Sequence, residues 1–154
     1  MQTMIVYVDD AAYARKMLQP LLPVRSANPS EPSMHWVVVA CTPHVSHDIT
    51  KWVSAHALEL WRQDVAQAVF DDITPLLQAA GDTVSTQLAN QKQSLIDQTN
   101  ALSQQHVHAK VLDARRPKFG QDMEPVTATQ AQDNNKVTGL ATAIGLAGVL
   151  ATDF

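Results

Sequence analysis

Two short apolar runs constrain this chain more than any other feature in it. Met4-Ile5-Val6-Tyr7-Val8 and His35-Trp36-Val37-Val38-Val39-Ala40-Cys41 are near-continuous and rich in β-branched or aromatic residues. They lack the polar alternation of a strand with one wet face, so each reads as a strand buried on both faces. Such strands belong to parallel sheets covered by helices on either side. The first run stops at Asp9-Asp10, after which Ala11, Ala14, Leu18 and Leu21/Leu22 fall at helical spacing. The two aspartates can cap free backbone N–H groups and face the positive end of the helix dipole. The chain opens strand, acidic turn, helix, and in a parallel α/β sheet ligands sit at the carboxyl ends of the strands.

Further along, Pro20 and Pro23 close the first helix, and Pro23 to Met34 has loop composition. After the second strand, Ser46 or Asp48 is placed to cap a long helix. Its apolar positions Ile49, Trp52/Val53, His56/Ala57, Leu60/Trp61, Val65, Ala68/Val69 and Ile73 step by three and four, with Trp52 and Trp61 expected against the core. Thr74-Pro75 marks a possible kink and Gly81 a C-terminal stop. Val84, Thr86 and Leu88 then alternate with polar residues, the pattern of a half-exposed strand at a sheet edge. A helix is predicted from Asn90, with Leu95, Ile96, Thr99 and Leu102 on one face. Val107 to Leu112 reads as a fourth strand, along which His106 and His108 would alternate to opposite faces and so not share an ion.

The expected fold class is therefore α/β, an open, mostly parallel sheet of about four strands with helices on both faces. Residues 1–120 form this domain, 121–136 read as a polar linker without an apolar face, and 137–154 as an apolar, Gly/Ala-rich tail expected to be helical. The 154 residues leave no room for a second full domain. A formal charge of −4 provides no cationic footprint for nucleic acid. One cysteine, Cys41, permits no internal disulfide, and the start carries no basic region of the secretory kind, so the expected location is cytoplasmic.

The order of these elements resembles the universal stress protein family, small α/β proteins of the nucleotide-binding α-hydrolase-like class. Ile5-Val6-Tyr7-Val8-Asp9-Asp10-Ala11 is similar to the family's first strand and its Val-Asp-Gly-Ser turn, with Asp9 on the family's aspartate. Val111-Leu112-Asp113-Ala114-Arg115-Arg116 falls where the family writes a strand ending in Gly-Ser-Arg-Gly. The resemblance implies the fold, Asp9 as an adenine-side contact and dimerisation through a last strand. ATP-binding relatives carry a Gly-x2-Gly-x9-Gly-Ser/Thr loop whose glycines let backbone amides approach phosphate. Here Asp113 and Arg116 stand at the first two glycine positions, and Pro117 removes a donor. The expectation is a chain that has lost this loop and holds no cofactor, with ATP or another nucleotide as the alternative. The family's last strand has no Val-rich counterpart; the tail stands in its place.

The candidate ligand-binding residues are Asp9 and Asp10 on one strand end and Asp113, Arg115, Arg116 and Lys118 on another. Paired arginines match phosphate or carboxylate bidentately, but can equally bridge to the neighbouring acids. Cys41, His44 and His47 have a Cys-x2-His-x2-His spacing of soft ligands. A closed zinc site takes four, so no metal is expected. The sequence contains no Gly-x-Ser-x-Gly elbow, P-loop or dinucleotide fingerprint, and the chain reads as non-enzymatic. The leading expectation is protein association, as a homodimer or with a protein partner, in a stress or regulatory setting. The alternatives are small-ligand binding in a rewritten cleft and tethering to the inner membrane. Val137 to Ala151 is uncharged and repeats small residues every four positions, as packed membrane helices do. As a helix it would span about 22 Å, short of a bilayer core of roughly 30 Å.

Overall fold

The computed structural model describes residues 2–22, 34–43, 48, 51–117, 123–136 and 149–150. β1 (Gln2–Val8) is followed by α1 (Ala11–Leu18) and a 3-10 turn, then by β2 (Met34–Ala40) and α2 (Ala55–Ala79). β3 (Thr83–Leu88), α3 (Leu95–Gln105), β4 (Lys110–Asp113), α4 (Ala128–Lys136) and β5 (Val149–Leu150) complete it. The sheet order is β3-β2-β1-β4-β5. The first four strands are parallel, with Tyr7 opposite Val39 on one side and Asp113 on the other.

The unbroken apolar runs are explained by what each face meets. Met4, Val6, Val8, Trp36 and Val38 turn to α1 and the second half of α2, against Ala14, Leu18, Phe70, Ile73 and Leu77. Ile5, Tyr7, Val37 and Val39 turn the other way, onto Leu95, Leu102 and Val126. β1 lies between β2 and β4, and its residues from Met4 to Val8 are buried on both faces. β3, with alternating polarity, is at the sheet edge as its pattern predicts.

Two buried polar contacts lock this stack. Asp82, at the start of β3, accepts from Met34 N (2.9 Å) and from Trp36 Nε1 (2.8 Å), aligning the edge strand with β2. Tyr7 hydroxyl meets Thr99 Oγ1, which itself donates to Leu95 O, so the tyrosine is the donor. Burial pushes the Tyr7 phenol up to about 12.

Several local expectations are corrected. α2 starts at Ala55, where Ser54 Oγ accepts from Ala57 N at 3.1 Å, so Trp52 and Val53 precede the helix; Ser46 and Ile49 lie outside the described residues. Trp52 is 88% exposed and Trp61 40%, not core, because the sheet covers α2 only from Ala66 onward. Pro75 does not end the helix. α2 runs on to Ala79 and closes in a Schellman turn, with Gly81 N donating to Gln78 O, Asp82 N to Leu77 O, and Gly81 at φ +89°. α3 starts at Leu95 behind the Ser94 cap, not at Asn90. His106 and His108 lie in a turn rather than a strand, with His108 at φ +61°, and β4 begins only at Lys110.

Residues 128–136 are helical rather than linker. A variant of the capping box accounts for it: the N-cap Thr127 Oγ1 accepts from Gln130 N at 3.1 Å, while Gln130 Oε1 reaches one residue past the cap to accept from Val126 N at 2.7 Å. Val126 and Thr127 are buried, so the helix is anchored at its start. The tail from 137 lies outside the described residues except for Val149–Leu150. These two are strand, pairing antiparallel with Leu112 and Val111 where a last strand was not expected. Among the described residues no helix is long and apolar enough to cross a membrane.

Candidate functional site

The chain order along the sheet reverses between β1 and β4, because β2 and β3 extend to one side and β4 to the other. At such a switch point the loops leaving adjacent strands part and open a crevice. Here a cleft of about 520 Å³ opens at the carboxyl ends, lined by residues after β1 (Asp9, Asp10), β2 (Cys41, Thr42, Pro43), β3 (Ala89, Asn90) and β4 (Arg115, Arg116, Pro117), and by Met123 and Glu124.

The two loops flanking the switch point are tied to each other. Asp10 caps α1, its Oδ1 accepting from Tyr13 N at 2.9 Å. Asp9 Oδ1 accepts from Arg116 N at 2.7 Å, and Arg116 Nη1 stands 3.6 Å from Asp10 Oδ2. The Arg116 side chain is 67% exposed at the mouth of the cleft.

Arg115 is turned inward. Its Nε and Nη2 donate to the two oxygens of Asp113 at 2.8 and 2.9 Å, and Nη2 also donates to Glu124 O at 2.7 Å. Gln130 Nε2 adds a bond to Asp113 Oδ2 at 2.7 Å. Burial alone would push the Asp113 carboxyl up; the bonds and charge of Arg115, with Gln130, outweigh it and hold the group below its ordinary range. Burial also works against the Arg115 charge, and Asp113 outweighs that, so the guanidinium is held protonated more firmly than usual. The pair is neutralised from within, and Asp113 sits behind the cleft wall.

Several backbone donors around the cleft are committed as well. Leu95 N, at the start of α3, donates to Glu124 Oε2 at 2.6 Å, so the chain's own carboxylate fills that helix end. Asn90 N donates to Gln98 Oε1 at 2.8 Å, and Gln98 Nε2 returns to Asn90 O at 2.9 Å. In contrast, Thr42 Oγ1 is buried and has no hydrogen-bond partner among the described residues. Burial raises the Cys41 thiol to about 12, so it is not a thiolate at neutral pH.

Comparison with family models, with curated proteins and with solved structures finds no match. The geometry therefore stands alone. It brings Asp9, Asp10, Arg115 and Arg116 around one cleft and places Asp113 one layer back. Lys118, His44 and His47 lie outside the described residues. Thr42, Asn90, Glu124 and Gln130 were not singled out from the sequence; of these, only Gln130 had a local signal, the Thr127-x-x-Gln130 spacing of a capping box.

Proposed function

We propose that this chain is a non-enzymatic binding domain of universal-stress-protein-like architecture that holds a small polar ligand in the cleft between β1 and β4. The observation that carries this reading is the cleft at the switch point, where the ends of β1, β2, β3 and β4 converge around polar side chains. The internal Asp113–Arg115 pair and the Glu124 carboxylate at α3 argue against a polyphosphate as that ligand. Amide chemical-shift mapping against a panel comprising ATP, AMP, adenosine and small amines tests it. Saturable shifts at Thr42, Asn90 and Arg116 are expected with at least one member; a panel that moves none of them refutes ligand binding.

Protein association is the second reading, favoured by Trp52, Leu60 and Trp61, large apolar side chains left exposed around the start of α2. Sedimentation of wild type and Trp61→Ala tests it: a mass above the monomer that falls in the variant supports association, and an unchanged monomer refutes self-association.

A further inference from the structure

We propose that the open edge of β3 pairs with the same edge of a second copy of this chain, joining the two sheets antiparallel about a two-fold axis at Thr86. This rests on the association reading, to which it gives a contact surface, and not on the cleft. β3 is the last strand on its side of the sheet, and no strand lies beyond it among the described residues. One bond fixes which of its backbone groups face outward. Ala89 N donates to Ala40 O at 2.9 Å, toward β2, and successive residues of a strand point their N–H and C=O groups to alternate sides. Ser85 and Gln87 therefore bond to β2, while Val84, Thr86 and Leu88 turn their backbone groups to the open side. Natural sheet edges are blunted against pairing by a charge, a proline or a bulge. The strand from Thr83 to Leu88 contains neither charge nor proline, and its register with β2 runs unbroken over six residues.

Symmetry selects the occupant. A two-fold contact is isologous, so the strand must complement itself read backwards. With the outward groups on alternate residues, antiparallel self-pairing can centre on a residue but not between two. About Thr86 the polarity of this strand is palindromic: Val84 meets Leu88, Ser85 meets Gln87 and Thr86 meets its own copy, apolar against apolar and polar against polar. No charge within the strand is brought against its own image. The faces agree as well, because Val84 and Leu88 pack against the core under α2, and the paired strands carry that layer across the joint. On the same face a groove of about 340 Å³ runs between strand and helix, lined by Phe70, Asp71, Thr74, Pro75, Val84 and Thr86. Asp71 there accepts from Gln67 Nε2 at 2.8 Å. A strand added to an edge supplies main-chain bonds and sends alternate side chains into such a groove. Leu60, 48% exposed, lies two turns before Gln67 on the same face of α2 and continues the surface past the sheet.

The test is sedimentation of the full chain as wild type, as Thr86→Lys, as Thr86→Glu and as an equimolar mixture of the two variants. Thr86 is exposed, so either charge is carried without burial, and circular dichroism checks that both variants keep the fold. The expected result is a wild-type dimer whose dissociation constant rises at least tenfold in each variant alone, where like charges face each other across the axis. The mixture should return to the dimer, since lysine then faces glutamate. Amide hydrogen exchange at Leu88 should be slowed in the wild-type dimer and fast in either variant alone. A dimer that persists in both variants overturns the β3 contact and leaves self-association standing through another surface. Two folded, monomeric variants whose mixture stays monomeric overturn the pairing about Thr86. A monomeric wild type overturns both the contact and self-association, and leaves the edge to a strand from a different protein.

Discussion

Gln130 Nε2 lies 2.7 Å from Asp113 Oδ2 and joins the helix after the cleft to the strand before it. Through that bond the Asp113–Arg115 pair, α4 and the Glu124 segment form one polar unit, closed on itself beside the crevice. A buried ion pair of this kind is costly to break from one side. Arg115→Ala is expected to lower unfolding free energy by about 3 kcal/mol in urea denaturation, because it strands the Asp113 carboxylate. Arg115→Met combined with Asp113→Leu should recover most of that loss, and a double-mutant cycle measures the coupling.

The same pair sets an acid limb. The folded-state value of Asp113 lies below its ordinary 3.8, so the unfolded chain binds its proton first as pH falls. Its contribution is complete above the unfolded carboxyl value near 3.9 and is lost as pH drops toward the lower folded value. Stability measured between about pH 5 and pH 2 should fall more gently in Asp113→Asn than in wild type.

Tyr7 works in the opposite direction. Its phenol is raised from 10.0 to about 12, so its stabilising effect is complete below 10 and disappears as pH rises through the folded value. Ultraviolet titration should show one of the two tyrosines ionising only near pH 12. Tyr7→Phe should remove that transition and cost about 1 kcal/mol, since Thr99 keeps its bond to Leu95 O.

Cys41 should be a slow thiol. With its value near 12 against an ordinary 9.0, the thiolate fraction at neutral pH is about a thousandfold below that of a free cysteine. DTNB should label the folded protein at least a hundredfold more slowly than the guanidinium-unfolded chain; equal rates would show that burial does not protect the sulfur.

Gly81 carries a backbone demand rather than a packing one. A Cβ there would meet nothing within 4 Å, yet φ is +89°. Gly81→Ala is expected to cost about 1 kcal/mol through backbone strain alone. Gly81→Asn should cost less, since asparagine tolerates positive φ.

The central strands were legible because their apolar runs have no other stable fate, and β3 because alternation marks a half-covered edge. The start of α2 was misplaced because Trp52 and Val53 fit its helical stripe while lying before the Ser54 cap. Periodicity reports which residues could share a face, not how far the covering sheet extends. The 128–136 helix was hidden by a composition that buries little; its start is defined by Thr127 and Gln130, and local bonds of that kind leave no mark on hydropathy. In the cleft, the aspartates and arginines could be named from chain order. Which arginine turned inward depended on Glu124 and Gln130, placed by the return of the chain after β4.

The 25 residues of α2 extend about 37 Å, whereas the six or seven residues of β2 or β3 reach only about 20–23 Å. The helix therefore has two thermodynamic halves. Amides beside Ala66 to Leu77 should exchange with deuterium only when the whole domain opens. Those from Leu58 to Asp64 lie beyond the residues of α2 buried against the sheet, and should exchange through local unwinding at far lower free energy.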